Sequence, residues 1–148
     1  MADTVKCVFC GFSADRALEQ TDLSVALYTD DAIKKGHIIL AVKDHVTSFS
    51  ELSAEQAADI FSLGARVAAR AEKLIGAEKY YIAAIADVVR HFHIHLLPKM
   101  PGEPQIGRHI MSETGWRGEV GTKMSKDELI EFIRDFREAR PDARSGSD

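Results

Sequence analysis

The apolar positions of this chain repeat with two different periods, and each period selects a type of element. Ser53-Ala54-Glu55-Gln56 has the form of a capping box, in which Ser53 can accept a free backbone N–H while Gln56 reaches back to the chain before it. The stripe that follows, Ile60, Gly64, Val67, Ala68, Ala71, Leu74 and Ile75, keeps the helical period for about four turns. A core helix is expected there, stopped by Gly76. A second box, Ser125 to Glu128, opens another helix with apolar Leu129, Ile130, Phe132, Ile133 and Phe136. Shorter apolar runs at 23–28, 36–42 and 79–86 read as strands, the first ended by Asp30-Asp31 and the second continuously apolar after His37. The period drops to two in His91-Phe92-His93-Ile94-His95-Leu96-Leu97-Pro98, where histidine alternates with large apolar residues. A strand there sets His91, His93 and His95 on one face and packs Phe92, Ile94 and Leu96 beneath, whereas a helix would scatter both rows. With only a short connection at 87–90, this strand should pair with 79–86 as an antiparallel hairpin. Two helices and antiparallel strands predict an α+β domain.

With 148 residues, 45% of them hydrophobic, the chain can bury one real core and is short for two, so a single domain over 1–140 is expected. The polar tail 141–148 is expected to be disordered. The sequence has no apolar run of about eighteen residues, and Met1 to Lys6 lacks the apolar stretch of a signal peptide. A soluble, cytoplasmic protein without a membrane partner is the expectation. The balance of 19 Lys+Arg against 23 Asp+Glu leaves no basic footprint for a nucleic-acid polymer, so an anionic small molecule would need local donors.

Two further features carry chemistry. Cys7-Val8-Phe9-Cys10 is a CxxC pair which, in a reducing compartment, favours metal ligation over a structural disulfide. Zinc fits best, and two thiols are half of a tetrahedral set; the plainer reading is a pair of small packed hydrophobes. The histidine row suits either metal ligation or acid–base and nucleophilic chemistry near neutral pH. After Pro98 the segment 98–124 is rich in Gly and Pro and holds the chain's single tryptophan, Trp116, which reads as a core pin, a ligand-site wall or a dimer contact.

The triad and the two apolar residues after it resemble the signature of the histidine triad (HIT) superfamily. Gly36-His37-Ile38-Ile39-Leu40, followed by His45, resembles that family's glycine-histidine strand and the histidine beyond it. The likeness spans residues 7–100. It implies a five-stranded antiparallel sheet with two main helices, usually paired into a homodimer whose sheets join across the two-fold axis. In the zinc-containing branch, which includes the related galactose-1-phosphate uridylyltransferases, the matching positions are Cys7, Cys10, His45 and His91. Four protein ligands leave no open position, so the zinc implied is structural.

The resemblance further implies that His93 is the nucleophile, attacking the α-phosphorus of a nucleoside phosphate derivative to give a nucleotidyl-histidine. His95 would contact the phosphate, and His37 would hydrogen-bond into the same pocket. A nucleotide hydrolase or nucleotidyl transferase follows; the alternatives are a nucleotide-binding protein with little turnover and a hydrolytic zinc enzyme, which the two thiolates disfavour. The chain departs from many family hydrolases just before the triad. Where they carry a glycine-rich segment with Gln-Ser or Gln-Thr, this sequence has 83–90 with Asp87 and Val88, and the usual acidic residue ahead of the glycine-histidine strand is displaced, although Asp30 and Asp31 lie near. Arg90, Lys99 and Arg108 are the candidates to replace the missing donors.

Overall fold

The computed structural model describes residues 7–107 and 124–139. Strands β1 (Ala17–Gln20), β2 (Ser24–Tyr28), β3 (Ile38–Val42), β4 (Lys79–Ala83) and β5 (His93–Lys99) form one sheet in the order β1-β2-β3-β5-β4. Every pairing is antiparallel, as the alternation and the family resemblance led one to expect. The run at 79–86 stops being a strand at Ala83, and a few residues on Ala86 takes φ +55°, a left-handed backbone that extended chain does not use. The β4–β5 connection is therefore longer than a tight hairpin, although Lys79 still faces Lys99 and Ala83 faces His95.

Helix α1 (Ala54–Ile75) begins at the expected box: the Gln56 N–H donates to Ser53 Oγ and the Ser53 N–H donates to Gln56 Oε1, both at 3.0 Å. It ends at Gly76, whose φ of +71° allows the left-handed cap. Its apolar stripe covers one face of the sheet, Ile60, Leu63 and Val67 packing with Leu40, Val42, Ile94 and Leu96. Burying each of these side chains stabilises the fold by about 1.5–3 kcal/mol. Leu63, absent from the stripe as read, completes the 60-63-64-67 repeat, while Leu74 lies beyond the covered surface and is 77% exposed. Gly64 permits the close approach, since a Cβ there would stand 2.6 Å from Leu40 Cδ1.

The opposite face holds Val25, Leu27, Ile39 and Ala41 packed with Phe9. This is the face of the histidines, because His93 lies opposite Ala41 and His95 opposite Ile39 across the β3–β5 ladder. Gly36, at φ +88°, makes the tight turn that feeds His37 into β3, and the His37 N–H closes it on the Lys34 carbonyl.

Among the described residues, those from Pro104 onward belong to a second unit. In it, α2 (Lys126–Glu138) starts at the second expected box, with Glu128 N–H donating to Ser125 Oγ. Leu129, Ile130, Phe132, Ile133 and Phe136 are all exposed. Arg108, Trp116 and the tail 141–148 lie outside the described residues. No helix among those described is long and apolar enough to cross a membrane.

Candidate active site and metal-binding cluster

Four donor atoms from Cys7, Cys10, His45 and His91 lie within 4.8 Å of one another. His91 Nδ1 is 3.3 Å from Cys7 Sγ, 3.5 Å from Cys10 Sγ and 3.3 Å from His45 Nδ1, and Cys10 Sγ is 3.3 Å from His45 Nδ1. Zinc bonds of about 2.0–2.3 Å to nitrogen and sulfur at tetrahedral angles place neighbouring donors roughly 3.3–3.7 Å apart. These four separations therefore match edges of a zinc tetrahedron, and the other two lie within 4.8 Å. The His91 ring is also turned correctly: its Nε2–H donates to the Val42 carbonyl at 2.7 Å, which fixes the tautomer with the Nδ1 lone pair facing the cysteines. These residues could hold a metal ion, and they come from three separate stretches of chain.

Two residues further on, His93 turns the other ring nitrogen outward. Its Nδ1–H donates to the His91 carbonyl at 2.7 Å, so Nε2 keeps its lone pair. A parallel argument fixes the neighbouring pair. The Ile33 N–H donates to His37 Nδ1 at 3.2 Å, so the His37 proton sits on Nε2, from which it is donated to His95 Nδ1 at 2.9 Å. Neutral His95 then carries its own proton on Nε2. The His93 and His95 rings meet edge to face at 4.9 Å. An unprotonated nitrogen and a protonated one thus stand side by side.

Both rings open into a cavity of about 680 Å³, a size that suits a nucleotide-sized ligand. Phe9, Phe12, Leu27 and Ile39 supply apolar walls; Arg16, Thr29 and Asp31 supply polar ones. Arg16 is the one Lys or Arg among the described lining residues, and it is ion-paired to Asp30 while its guanidinium lies over the Tyr28 ring. Of the basic candidates from the sequence, Lys99 is bound instead to Glu78 at 2.7 Å. Arg90, Asp87 and Val88 are exposed, and none of them lines the cavity. Phe9, Phe12 and Arg16 were not legible as site residues; the position of Phe9 between the two cysteines was the available clue.

Burial pushes the imidazole pKa of His37 below its ordinary 6.5, and burial, then the nearby His93 and His37, does the same to His95. Both rings are neutral at pH 7. Below pH 6.5 the unfolded chain takes up protons that the folded pair refuses, so the unfolded state binds more protons and stability falls with pH across that window. The urea midpoint is expected to be flat above about pH 7 and to drop below pH 6.5. The drop should be smaller in His95→Asn; an equal drop would show that the histidine pair is not its source.

Fold and site together define a single-sheet α+β protein with an imidazole-lined cavity beside a four-donor group that could hold a metal ion. The chain belongs to the HIT domain family, which residues 13–102 match. The adenosine 5'-monophosphoramidase hnt1 of Schizosaccharomyces pombe is 34% identical over 112 residues, covering 70% of this chain and 81% of that protein. Among solved structures, a member of the HIT family from Bacillus subtilis is similar with a TM-score of 0.69 and 15% identity, over 93% of this chain and 99% of that one. A zinc-bound histidine triad family protein from Mycobacterium smegmatis is similar with a TM-score of 0.60 and 22% identity, over 66% of this chain and 78% of that one.

Proposed function

We propose that this protein is a nucleotide hydrolase or nucleotidyl transferase that attacks the α-phosphorus of a nucleoside phosphoramidate through His93. The carrying observation is the bond from His93 Nδ1–H to the His91 carbonyl, which leaves Nε2 as a free nucleophile in the cavity beside a protonated His95 nitrogen. In the first step Nε2 forms a bond to phosphorus as the phosphorus–nitrogen bond of the substrate breaks. The departing amine takes its proton from solvent water in the open cavity, while the His95 Nε2–H donates a hydrogen bond to a phosphoryl oxygen and the His37 Nε2–H holds the other nitrogen of that ring. Water then attacks the nucleotidyl-histidine as the His93–phosphorus bond breaks and loses a proton to solvent, releasing the nucleoside monophosphate and free His93. A transferase differs only in using another acceptor in place of water.

The choice of a phosphoramidate over a dinucleoside polyphosphate rests on charge. A polyphosphate leaving group brings several negative charges, and Arg16, already held by Asp30, is the one cation among the described lining residues. The activity for which the 34% identical S. pombe relative is named supports the same choice. Incubation with adenosine 5'-phosphoramidate should release AMP, and diadenosine polyphosphates should be poorer substrates. Binding of both nucleotides without release of AMP would select the reading as a nucleotide-binding protein.

The four-donor group is assigned to a structural zinc held by Cys7, Cys10, His45 and His91, which supplies cross-linking of the N-terminal loop to the histidine strand. The four side chains would fill a tetrahedral zinc's coordination positions, so no step of the reaction is routed through it. Localisation is taken as cytoplasmic, where the two thiols stay reduced.

A homodimer is proposed to form through the edge of β4 that no described strand pairs. Ile82 is 60% exposed there, and Phe61 of α1, 45% exposed, borders an apolar groove alongside it with Ala65, Ala68 and Tyr80. An unpaired edge with an apolar flank invites a second copy of the same edge. Light scattering should return the mass of two chains, and Ile82→Lys should return that of one; a monomeric wild type would remove the proposal.

A further inference from the structure

Phe9 stands between the two cysteines of the CxxC loop and is 7% exposed. Its ring meets the His93 ring at 4.7 Å between centroids with a tilt of 37°, and the His91 ring at 5.6 Å. It also packs with Val25, Leu27, Ile39 and Ala41 beneath the cavity. One aromatic side chain therefore touches both a member of the metal-binding group and the residue assigned as nucleophile.

We infer that Phe9 is a positioning residue that transmits metal occupancy of the Cys7–Cys10–His45–His91 group to the orientation of His93. The inference rests on the structural zinc and on the nucleophile as read above. A single hydrogen bond to the His91 carbonyl does not stop the His93 ring from turning over about its Cβ–Cγ bond, which would carry Nε2 out of place. Contacts on the ring surface prevent this. His95 supplies one of them, edge to face, and Phe9 supplies the other. Phe9 in turn has a ligand on each side, at Cys7 and Cys10, and the Gly11 N–H closes the loop on the Cys7 carbonyl at 3.1 Å. With both thiolates coordinated, the loop is anchored on either side of the phenyl ring. Without the metal the loop loses both anchors and the ring no longer blocks rotation of His93.

The test reads His93 directly and needs no substrate. Histidine ring nitrogens are followed by long-range proton–nitrogen NMR in wild type and Phe9→Leu, each zinc-loaded and chelated, with metal content measured in every sample. Zinc-loaded wild type should show one His93 tautomer, protonated on Nδ1, and chelation should convert it to an exchanging mixture. Zinc-loaded Phe9→Leu should keep one zinc per chain yet already show that mixture, and chelation should add little more, because the two changes act through one contact. Its turnover number should fall between about 10- and 100-fold while KM moves much less, as for a misplaced reacting group.

A His93 signal that stays single in zinc-loaded Phe9→Leu, while chelation still disturbs it in wild type, would overturn the inference and route the coupling through the His91 backbone. No response to chelation in wild type would also overturn it. Where Phe9→Leu fails to fold, Phe9→Met, apolar and flexible, is read in the same way. A wild type purified without zinc removes the metal assignment and the inference together, and the metal analysis identifies that failure before any spectrum is taken.

Discussion

Replacing His93 with alanine is expected to lower AMP release from adenosine 5'-phosphoramidate by about 10⁴-fold or more, with zinc content and fold retained. The magnitude follows from what is removed. A nucleophile that forms a covalent intermediate divides one difficult displacement into two easier ones, and no neighbouring side chain can take its place. His95 is the nearest imidazole, but its Nδ1 accepts from His37, so its Nε2 holds a proton where a lone pair is needed. His93 is buried on a sheet face opposite Ala41, so its loss leaves a hole of imidazole size and costs stability as well. Circular dichroism, thermal denaturation and zinc analysis separate the two effects. A variant that is folded, zinc-loaded and still active within about tenfold of wild type would remove His93 from the reaction.

Loss of the cysteines assigned to the metal is expected to have the next largest effect. Cys7→Ser combined with Cys10→Ser removes half of a group whose donors already stand at zinc-like separations, and His45 with His91 alone cannot complete a closed site. A metal present at about 1,000 times its dissociation constant stabilises the folded state by about 4 kcal/mol, so its loss should lower Tm by about 10 °C in a domain of this size. Activity should fall with it even below the new Tm, because the His91 carbonyl orients His93 and the CxxC loop carries Phe9. Calorimetry and metal analysis of the double variant check both parts. An unchanged Tm with less than one zinc per wild-type chain would show that the thiols and imidazoles are merely packed together.

Much of this architecture can be read from local patterns, for reasons that also mark where such reading stops. A period of two is unambiguous over the run from His91 to Leu96, and although β5 begins only at His93, leaving His91 and Phe92 in the approach to the strand instead of in it, Phe92, Ile94 and Leu96 do pack in the core with the α1 stripe. Capping boxes are equally local, and both helices begin where Ser53 and Ser125 put them. The end of β4 was not legible, because Ala86 adopts a positive φ that nothing in an Ala-Ala-Ile-Ala run announces. Leu63 escaped the helical stripe because it shares its face with Gly64, whose missing side chain hides the closest approach between α1 and β3.

The candidate site divides in the same way. CxxC and the histidine row advertise themselves by spacing, and the structure brings Cys7, Cys10, His45 and His91 into one group from three stretches of chain. Arg16 and Phe12 reach the cavity only through the tertiary path of the N-terminal segment, so no short-range signal marks them. Lys99 looked equally suited to a phosphate in the sequence. It lies instead at the far end of β5, neutralised by Glu78.

The most direct measurement of the central claim is an acid- or base-quenched reaction examined by intact-protein and peptide mass spectrometry within the first turnover. With adenosine 5'-phosphoramidate, one adenylyl group should appear on each chain, lie on the peptide holding His93, survive base and be lost in acid, as expected of a phosphorus–nitrogen bond. Rapid turnover with no adduct at any quench time, or an adduct on a peptide without His93, would contradict the account.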